Sequence, residues 1–223
     1  MESLEEINAA AVECRRCPRL VEWRERVARE KRASFRDEDY WGRPVPGFGD
    51  PGARVLIMGL APAAHGANRT GRMFTGDRSG DFLFASLHRT GFANQPTSVS
   101  RGDGLVLDDI YITAAVRCAP PANKPTPAER DACRPFVEAE MAALEPLKVV
   151  VALGQFGYGV TCSLLGIRPR PRFGHGVEVP TEGGPTVLCS FHPSQQNTFT
   201  GRLTETMLDE VFQRARQLAL GEG

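Results

Sequence analysis

The sequence has no excess charge of either sign and no long apolar run. Lys+Arg and Asp+Glu both total 27 in 223 residues, so the overall charge does not indicate a polyanionic partner. No apolar run approaches the roughly 20 residues that a membrane-spanning helix needs. The amino-terminal stretch, MESLEEINAAAVE, is acidic and amphipathic and lacks the basic and apolar regions of a secretory signal. We therefore expect a cytoplasmic protein without a membrane partner.

Acidic residues are missing from three local stretches, although the chain as a whole is neutral. The ranges 61–76, 110–128 and 192–203 contain no Asp or Glu, and each contains Arg, Lys or His. Nucleic-acid phosphates are bound by cations and by backbone N–H groups. If folding brings these stretches together, they form a surface suited to a polyanion.

Four of the six cysteines have the spacing of metal ligands. Cys14 and Cys17 form a C-x2-C pair, while Cys118 and Cys133 stand beside prolines in the middle of the chain. Two thiolates three residues apart can bind one metal centre, and two more complete a tetrahedral set. Disulfides are rare in the cytosol, so this pattern favours a metal or an iron–sulfur cluster. The remaining two cysteines lie in apolar contexts and are expected to be buried small hydrophobes: Cys162 and Cys189.

Four short apolar runs predict buried β-strands, at 54–60, 110–116, 149–153 and 186–191. They are continuous rather than alternating, as is typical of a parallel sheet covered on both faces. Helical patterns accompany them, at 2–13, 80–90, 127–144, 155–165 and 202–220. The alternation predicts one α/β domain over residues 1–223, a three-layer α/β/α sandwich with a central four-stranded parallel sheet.

Polar segments rich in Gly and Pro follow three of the predicted strands, at 59–77, 117–127 and 192–198. Ligands of open parallel sheets bind beyond the carboxyl ends of the strands, so we expect the functional site there. Asp77 is the only carboxylate on these segments, and it is either a catalytic group or the N-cap of the next helix; the two roles can coexist. His192 follows a strand directly and can donate a hydrogen bond to an oxygen that gains charge in a transition state.

Short motifs, in a fixed order, resemble the uracil-DNA glycosylase superfamily. They are Gly59-x-x-Pro62, Gly71-Arg72-x-Phe74-x-Gly76, Arg117-Cys118-x-Pro120-Pro121 and His192-Pro193-Ser194. The cysteine layout, C-x2-C plus C-x14-C, is similar to the iron–sulfur branches of that superfamily, families 4 and 5. The segments GLAPAAHGANRTGRMFTGD and HPSQQNT resemble family 5, also called type b. The resemblance covers nearly the whole chain.

The resemblance implies a monofunctional DNA glycosylase that starts base excision repair. Such an enzyme flips a deaminated base out of the duplex, because the N-glycosidic bond is unreachable inside the stack, and then hydrolyses that bond. Its partner is DNA that contains deaminated bases. The sequence shows no obvious apolar surface patch, and we expect a monomer.

Site residues are implied by matching motif positions. His192 resembles the histidine that hydrogen-bonds the pyrimidine O2, and Phe74 resembles the aromatic residue that stacks on the flipped base. The implied base pocket consists of Gly59, Leu60, Ala61, Phe74, Ala114 and Asn123. The implied DNA contacts are His65, Asn68, Arg69, Arg72, Lys124, Ser194, Gln195, Gln196, Asn197 and Phe199, with 197–199 resembling the segment that wedges into the duplex. The implied ligands of a structural [4Fe–4S] cluster are Cys14, Cys17, Cys118 and Cys133.

Two departures from the family pattern affect mechanism and specificity. Other branches place a water-activating polar residue just after the first glycine, whereas Gly59 is followed here by Leu60 and Ala61. We hypothesise that Asp77 takes over that role. The sister iron–sulfur branch reads uracil with an Asn on the second strand, where this chain has Ala114. A site rejects a wrong base when a buried polar group would be left unpaired, and Ala114 offers no such group. We therefore expect activity on hypoxanthine or xanthine as well as uracil.

Two other classes of protein fit part of the sequence. Four cysteines also suit an iron–sulfur electron carrier, although a carrier does not need three polar loops at strand ends. They equally suit a zinc-stabilised nucleic-acid-binding module, since the spacing alone does not distinguish zinc from iron–sulfur ligation. Release of a base from uracil-containing DNA distinguishes the glycosylase from both.

Overall fold

A computed structural model describes residues 2–222, which are built around one six-stranded sheet. The strands are β1 (Phe48–Gly49), β2 (Val55–Gly59), β3 (Ile110–Ala114), β4 (Val149–Leu153), β5 (Glu178–Val179) and β6 (Thr186–Ser190). Their spatial order is β1-β3-β2-β4-β6-β5. The four inner strands are mutually parallel, and β1 and β5 pair antiparallel at the two edges. The predicted parallel sheet is confirmed; the edge strands were not predicted, because two residues are too few to leave an apolar pattern.

Eight α-helices surround this sheet in the described residues. They are α1 (Leu4–Val12), α2 (Pro18–Glu30), α3 (Ala67–Thr70), α4 (Arg78–Arg89), α5 (Pro127–Ala143), α6 (Gly154–Leu164), α7 (Gln195–Phe199) and α8 (Glu205–Leu220). All five predicted helices are present, and Thr126 caps α5 through a hydrogen bond from the Glu129 N–H. Within residues 2–222, no helix combines the length and the apolar character needed to cross a membrane.

Helices cover both faces of the sheet. Strand residues such as Val55 and Ile57 pack with α4 and α8 on one face, while Leu56 and Met58 pack with α5 and α6 on the other. Successive residues of a strand point to opposite faces, so a continuous apolar run fills both layers. The three-layer α/β/α architecture is confirmed.

The amino-terminal helices add a further layer beside α5 and the end of β3. Ile7 and Ala11 of α1 pack against Cys133 and Phe136 of α5, and Leu20 of α2 packs against the segment that follows β3. The sequence did not predict α2, because a charged residue occupies one of its inward positions. These contacts bring both halves of the cysteine pattern to one side of the molecule.

A buried ion pair holds the chain that leaves β3. Arg117 and Glu140 of α5 are both fully buried and paired with each other. Thr113 donates a hydrogen bond of 2.7 Å to the same carboxylate, and the hydroxyl of Tyr111 lies 3.4 Å from it. A buried charge is tolerated only when it is paired and hydrogen-bonded. This network therefore fixes the strand end from which Cys118 and the next loop depart.

Candidate active site

A cavity of about 300 Å³ lies at the carboxyl ends of the inner strands, and we call it the strand-end cavity. Its volume lies at the small end of the range for ligand pockets. The chain proceeds from β2 to β3 on one side and then to β4 on the other, so the cavity occupies the switch point where such sheets bind ligands. All eight residues predicted for catalysis or the base pocket line it: Gly59, Leu60, Ala61, Phe74, Asp77, Ala114, Asn123 and His192.

The aromatic wall of the strand-end cavity is Phe74, which adopts a left-handed backbone conformation with φ of 52°. Such a conformation is uncommon for a bulky residue and is typical of functional sites. The phenyl ring lies so close to Gly59 that a Cβ there would be 3.2 Å from it. Its centroid is 5.9 Å from that of the His192 ring. An aromatic face thus lies beside an imidazole in one small cavity.

Asp77 is the expected N-cap and also lines the cavity in which a catalytic role was predicted for it. Its Oδ1 accepts a hydrogen bond of 3.0 Å from the Gly80 N–H, so Asp77 is the N-cap of α4. The same side chain lines the strand-end cavity, and a Cβ at Gly66 would be only 2.0 Å from its Oδ2. Burial raises the pKa of Asp77 above its ordinary value, against the N–H groups of Gly80 and Ser79, which lower it. A carboxylate with a raised pKa is a better proton acceptor near neutral pH.

His192 follows β6 at the rim of the strand-end cavity. The side-chain amide of Asn197 donates a hydrogen bond of 2.8 Å to the His192 backbone oxygen and holds this turn in place. Some of the residue remains exposed, but burial of the imidazole lowers its pKa to about 4. The ring is therefore neutral at physiological pH, with one N–H available as a donor and one nitrogen as an acceptor.

His175 has a structural role that no sequence pattern indicated. Its Nδ1 accepts a hydrogen bond of 3.2 Å from the Phe191 N–H, and its Nε2 lies 3.2 Å from the Met207 backbone oxygen. Its ring also packs on Phe191 at a centroid distance of 5.2 Å. His175 thus ties the end of β6 to α8 one residue before His192. No sequence signal predicted this, because the contact joins segments distant in the chain.

A free amide also faces the strand-end cavity. Asn123 ends a short 3-10 helix at Pro121–Asn123 and has a left-handed φ of 56°, which asparagine tolerates better than most residues. Among the described residues its side chain makes no hydrogen bond, although the residue lines the cavity. Its oxygen and NH₂ group are therefore available to pair with the polar edge of a ligand.

Three predicted DNA contacts are buried and bonded within the protein: Asn68, Arg69 and Arg72. Arg69 donates to two backbone oxygens of the loop that follows β2, Arg72 pairs with Asp103 at 2.7 Å, and Asn68 donates to the backbone oxygen of Arg24. A loop with little regular structure leaves carbonyl groups that need donors. These side chains thus hold the loop in shape, and little of their surface remains for DNA.

The other predicted DNA contacts lie at or near the surface. The exposed ones are Lys124, Gln195, Gln196 and Phe199, and the half-buried ones are His65, Ser194 and Asn197. Phe199, 68% exposed, ends α7 with its ring 5.6 Å from the Arg78 guanidinium carbon. His65 Nδ1 lies 2.9 Å from the Tyr40 hydroxyl. Phe199 is therefore a large apolar side chain exposed to solvent, at a position that the resemblance assigns to the duplex wedge.

The four cysteines predicted as ligands line a second, small cavity between α2, α5 and the segment after β3, which we call the cysteine cavity: Cys14, Cys17, Cys118 and Cys133. Across residues 2–222, no set of three His, Cys, Asp or Glu side chains is arranged to hold a metal ion. The four thiols nevertheless converge on one cavity. Burial raises the pKa of Cys118 to about 12 and that of Cys133 to about 11, so these sulfurs need positive neighbours to become thiolates.

A positive neighbour is present. Arg24, only 2% exposed, directs its Nη1 to the Cys118 sulfur at 3.0 Å, and its Nε has no partner within the described chain. Glu25 Oε1 lies 3.9 Å from Arg24 Nη2 but already accepts a hydrogen bond from Arg15. The Arg117 backbone N–H also points to the Cys133 sulfur, at 3.3 Å. A buried guanidinium with a spare donor fits an anionic group in the cysteine cavity.

Comparisons with known proteins agree with this site. Residues 46–216 match the family model described as uracil DNA glycosylase superfamily. The chain is 58% identical over 220 residues to the Type-5 uracil-DNA glycosylase of Mycobacterium bovis, covering 97% of this chain and 82% of that protein. It is 54% identical to the Type-5 enzyme of Thermus thermophilus, covering 92% and 94%. It is 30% identical to the Type-4 enzyme of Thermotoga maritima, covering 80% and 84%.

Titration of His192, followed by NMR of the imidazole nitrogens, should give a midpoint near pH 4 in the folded protein. In urea-unfolded protein, the control, the midpoint should return to about 6.5. Because the unfolded state binds the proton more readily, His192 should contribute stability that rises with pH between these two values. A folded-state midpoint near 6.5 would show that the imidazole is not buried as described.

Proposed function

This chain belongs to the uracil DNA glycosylase superfamily, and we propose that it hydrolyses the N-glycosidic bond of uracil and other deaminated bases in DNA. The observation that carries the proposal is the meeting of Phe74, Asp77 and a neutral His192 in one cavity at the strand ends. Residues 1–223 then act as one domain, with damaged DNA as the partner and a monomer as the working unit. A DNA substrate also agrees with the cytoplasmic location expected from the sequence.

The proposed reaction breaks the bond between C1′ of the deoxyribose and the base nitrogen. The base, flipped from the duplex, stacks on Phe74. The ring N–H of neutral His192 donates to the base oxygen as negative charge develops there. The carboxylate of Asp77 stabilises the cationic sugar and accepts a proton from the water whose oxygen bonds to C1′. His192 thus offers a positive partial charge to the departing base, and Asp77 offers a negative charge to the sugar.

Asp77→Asn should lower the single-turnover rate of uracil release by about 10²- to 10⁴-fold, the range of general acid–base contributions. Asparagine is as good an N-cap as aspartate, so α4 should remain capped and only the charge is lost. Binding to abasic-site DNA should stay near that of the wild type. Asp81→Asn, which neutralises an exposed carboxylate of the same helix, is the matched control. Near-wild-type turnover by Asp77→Asn would exclude the assigned role.

Specificity follows from the sparse polar lining of the cavity. Ala114 offers no group to read a base edge, and the free amide of Asn123 can rotate to present either its oxygen or its NH₂ group. Selection against a wrong substrate is strongest when a fixed polar group would be left unpaired. We therefore propose that the cavity accepts hypoxanthine and xanthine besides uracil.

Base release from duplexes with a single uracil, deoxyinosine or deoxyxanthosine tests this specificity. We expect release of all three, and Ala114→Asn should suppress release of hypoxanthine more than release of uracil, because it adds a polar group and reduces the cavity volume. A duplex with undamaged adenine at the same position is the control. A wild-type enzyme that ignores deoxyinosine would contradict the proposal.

We further propose that the cysteine cavity holds a structural [4Fe–4S] cluster through Cys14, Cys17, Cys118 and Cys133. Two N–H groups donate to these sulfurs: the buried Arg24 guanidinium to Cys118 and the Arg117 backbone N–H to Cys133. Both donors support an anionic sulfur centre. A bound cluster would supply Fe–S bonds that cross-link the start of α2 to the segment after β3 and to α5. No step of the proposed hydrolysis involves it. A single zinc ion held by the same four thiols is the alternative, since cysteine spacing alone does not distinguish the two.

Arg24→Gln should reduce iron and acid-labile sulfide per chain and the visible absorbance of the purified protein, because it removes the positive charge beside Cys118. Arg26→Gln is the matched control, since Arg26 lies on the same helix but stacks on Trp23 at the surface. Wild-type iron content in Arg24→Gln would exclude the charge argument. A colourless wild-type protein that contains one zinc ion per chain would show that the cysteine cavity binds zinc and not an iron–sulfur cluster.

A further inference from the structure

The segment between α6 and β5 carries three arginines for which the site described above has no use. We call residues 167–174 the basic arm. Arg168, Arg170 and Arg172 occupy alternate positions in it, separated by two prolines, and no acidic residue occurs between 167 and 177. All three arginines are exposed.

These arginines lack counter-charges. Within the part of the chain that the structure describes, their side chains make no ion pair and no hydrogen bond, whereas 13 other arginines pair with carboxylates. The whole chain is electrically neutral, so an unpaired group of cations reflects local placement rather than a general excess. Clustered cations without partners raise the local potential and attract polyanions.

The basic arm is anchored at its carboxyl end. The Tyr158 hydroxyl donates a hydrogen bond of 2.8 Å to the Pro171 backbone oxygen. The Phe173 ring packs against Tyr158 at 5.6 Å and against Phe191 at 6.1 Å between centroids. Proline restricts the backbone on both sides of Arg170. The arginines are therefore presented from a restrained backbone, which reduces the entropy lost on binding.

These contacts also bring the carboxyl end of the arm to the end of β6. Phe191, on which Phe173 packs, directly precedes His192 in the chain. A further exposed arginine, Arg202, has its guanidinium carbon 4.5 Å from the centroid of the same Phe191 ring. An exposed cation and the carboxyl end of the arm thus lie next to the residue before His192, while Arg170 lies farther along, against Gly159 of α6.

We propose that the basic arm binds backbone phosphates of the duplex that flanks the flipped nucleotide, through Arg168, Arg170 and Arg172. The inference rests on the proposed function, because the arm faces a partner only if DNA is held over the strand-end cavity. Guanidinium groups bind phosphate with two parallel hydrogen bonds. Such contacts position a duplex and carry no base specificity. The arm therefore contributes to affinity for damaged and undamaged DNA alike.

The test uses the full protein and a variant with three substitutions, Arg168→Gln, Arg170→Gln and Arg172→Gln. Binding to abasic-site and undamaged duplexes is measured across salt concentrations. The slope of log K against log salt should become shallower by about 2 to 3, one phosphate contact for each arginine. The loss should appear in KM rather than in kcat. The corresponding Arg→Lys variant keeps the charge and should restore the slope, with weaker binding where two-point contacts are lost.

The matched control removes three cations elsewhere, through Arg89→Gln, Arg134→Gln and Lys148→Gln. Arg89 ends α4 and Lys148 precedes β4, both at the amino-terminal edge of the sheet, and Arg134 lies on α5. The salt slope of this control variant should match that of the wild type. A Gln variant of the arm with the wild-type slope, or one no shallower than the control, overturns the inference. Failure of the wild type to release uracil while the slopes still differ would refute the proposed function and leave a DNA-binding arm.

Discussion

One hydrogen bond, from the Gly80 N–H to Asp77 Oδ1, sets the geometry on which the candidate site depends. It caps α4 with a residue that also lines the strand-end cavity, and the second carboxylate oxygen lies where a Cβ at Gly66 would be. The same carboxylate thus stabilises a helix and provides the one negative charge among the three polar loops. Burial raises its pKa, and burial of His192 lowers the pKa of the imidazole to about 4. Burial thus favours the neutral form of both groups, and it shifts their pKa values in opposite directions.

Arginine has two separate uses in this protein. Buried arginines, such as Arg24, Arg72 and Arg117, satisfy sulfurs, carboxylates and loop carbonyls inside the fold. Exposed arginines that make no ion pair within the described residues, on the basic arm and at Arg202, remain available to a polyanion. A chain with zero formal net charge can therefore still present a cationic surface, since many of its acids pair with other arginines. Overall charge alone gave no indication of this arrangement.

The sequence predicted the inner strands, because their apolar runs are continuous. Asp77 and His192 were indicated by the rule that parallel topology brings the loops after successive strands to one edge. The other predicted residues that line the strand-end cavity were implied by the resemblance to the superfamily. The burial of Arg69 was not predictable, since a basic residue in an acid-free loop has the same pattern whether it faces DNA or a backbone carbonyl. The contact of Arg24 with Cys118 and that of His175 with Phe191 join segments far apart in sequence, and no local pattern indicates them.

The most direct test of the account is the pH dependence of single-turnover uracil release by the wild type and by Asp77→Asn. A catalytic Asp77 must be ionised, so the wild-type rate should fall as pH decreases through a midpoint above the ordinary aspartate value of about 3.9. His192, neutral above about pH 4, should add no step near pH 6.5. The variant should be slow and lack the Asp77-dependent step. A step near 6.5 that persists in the variant, or an unchanged profile in the variant, would contradict the assignment of the two groups.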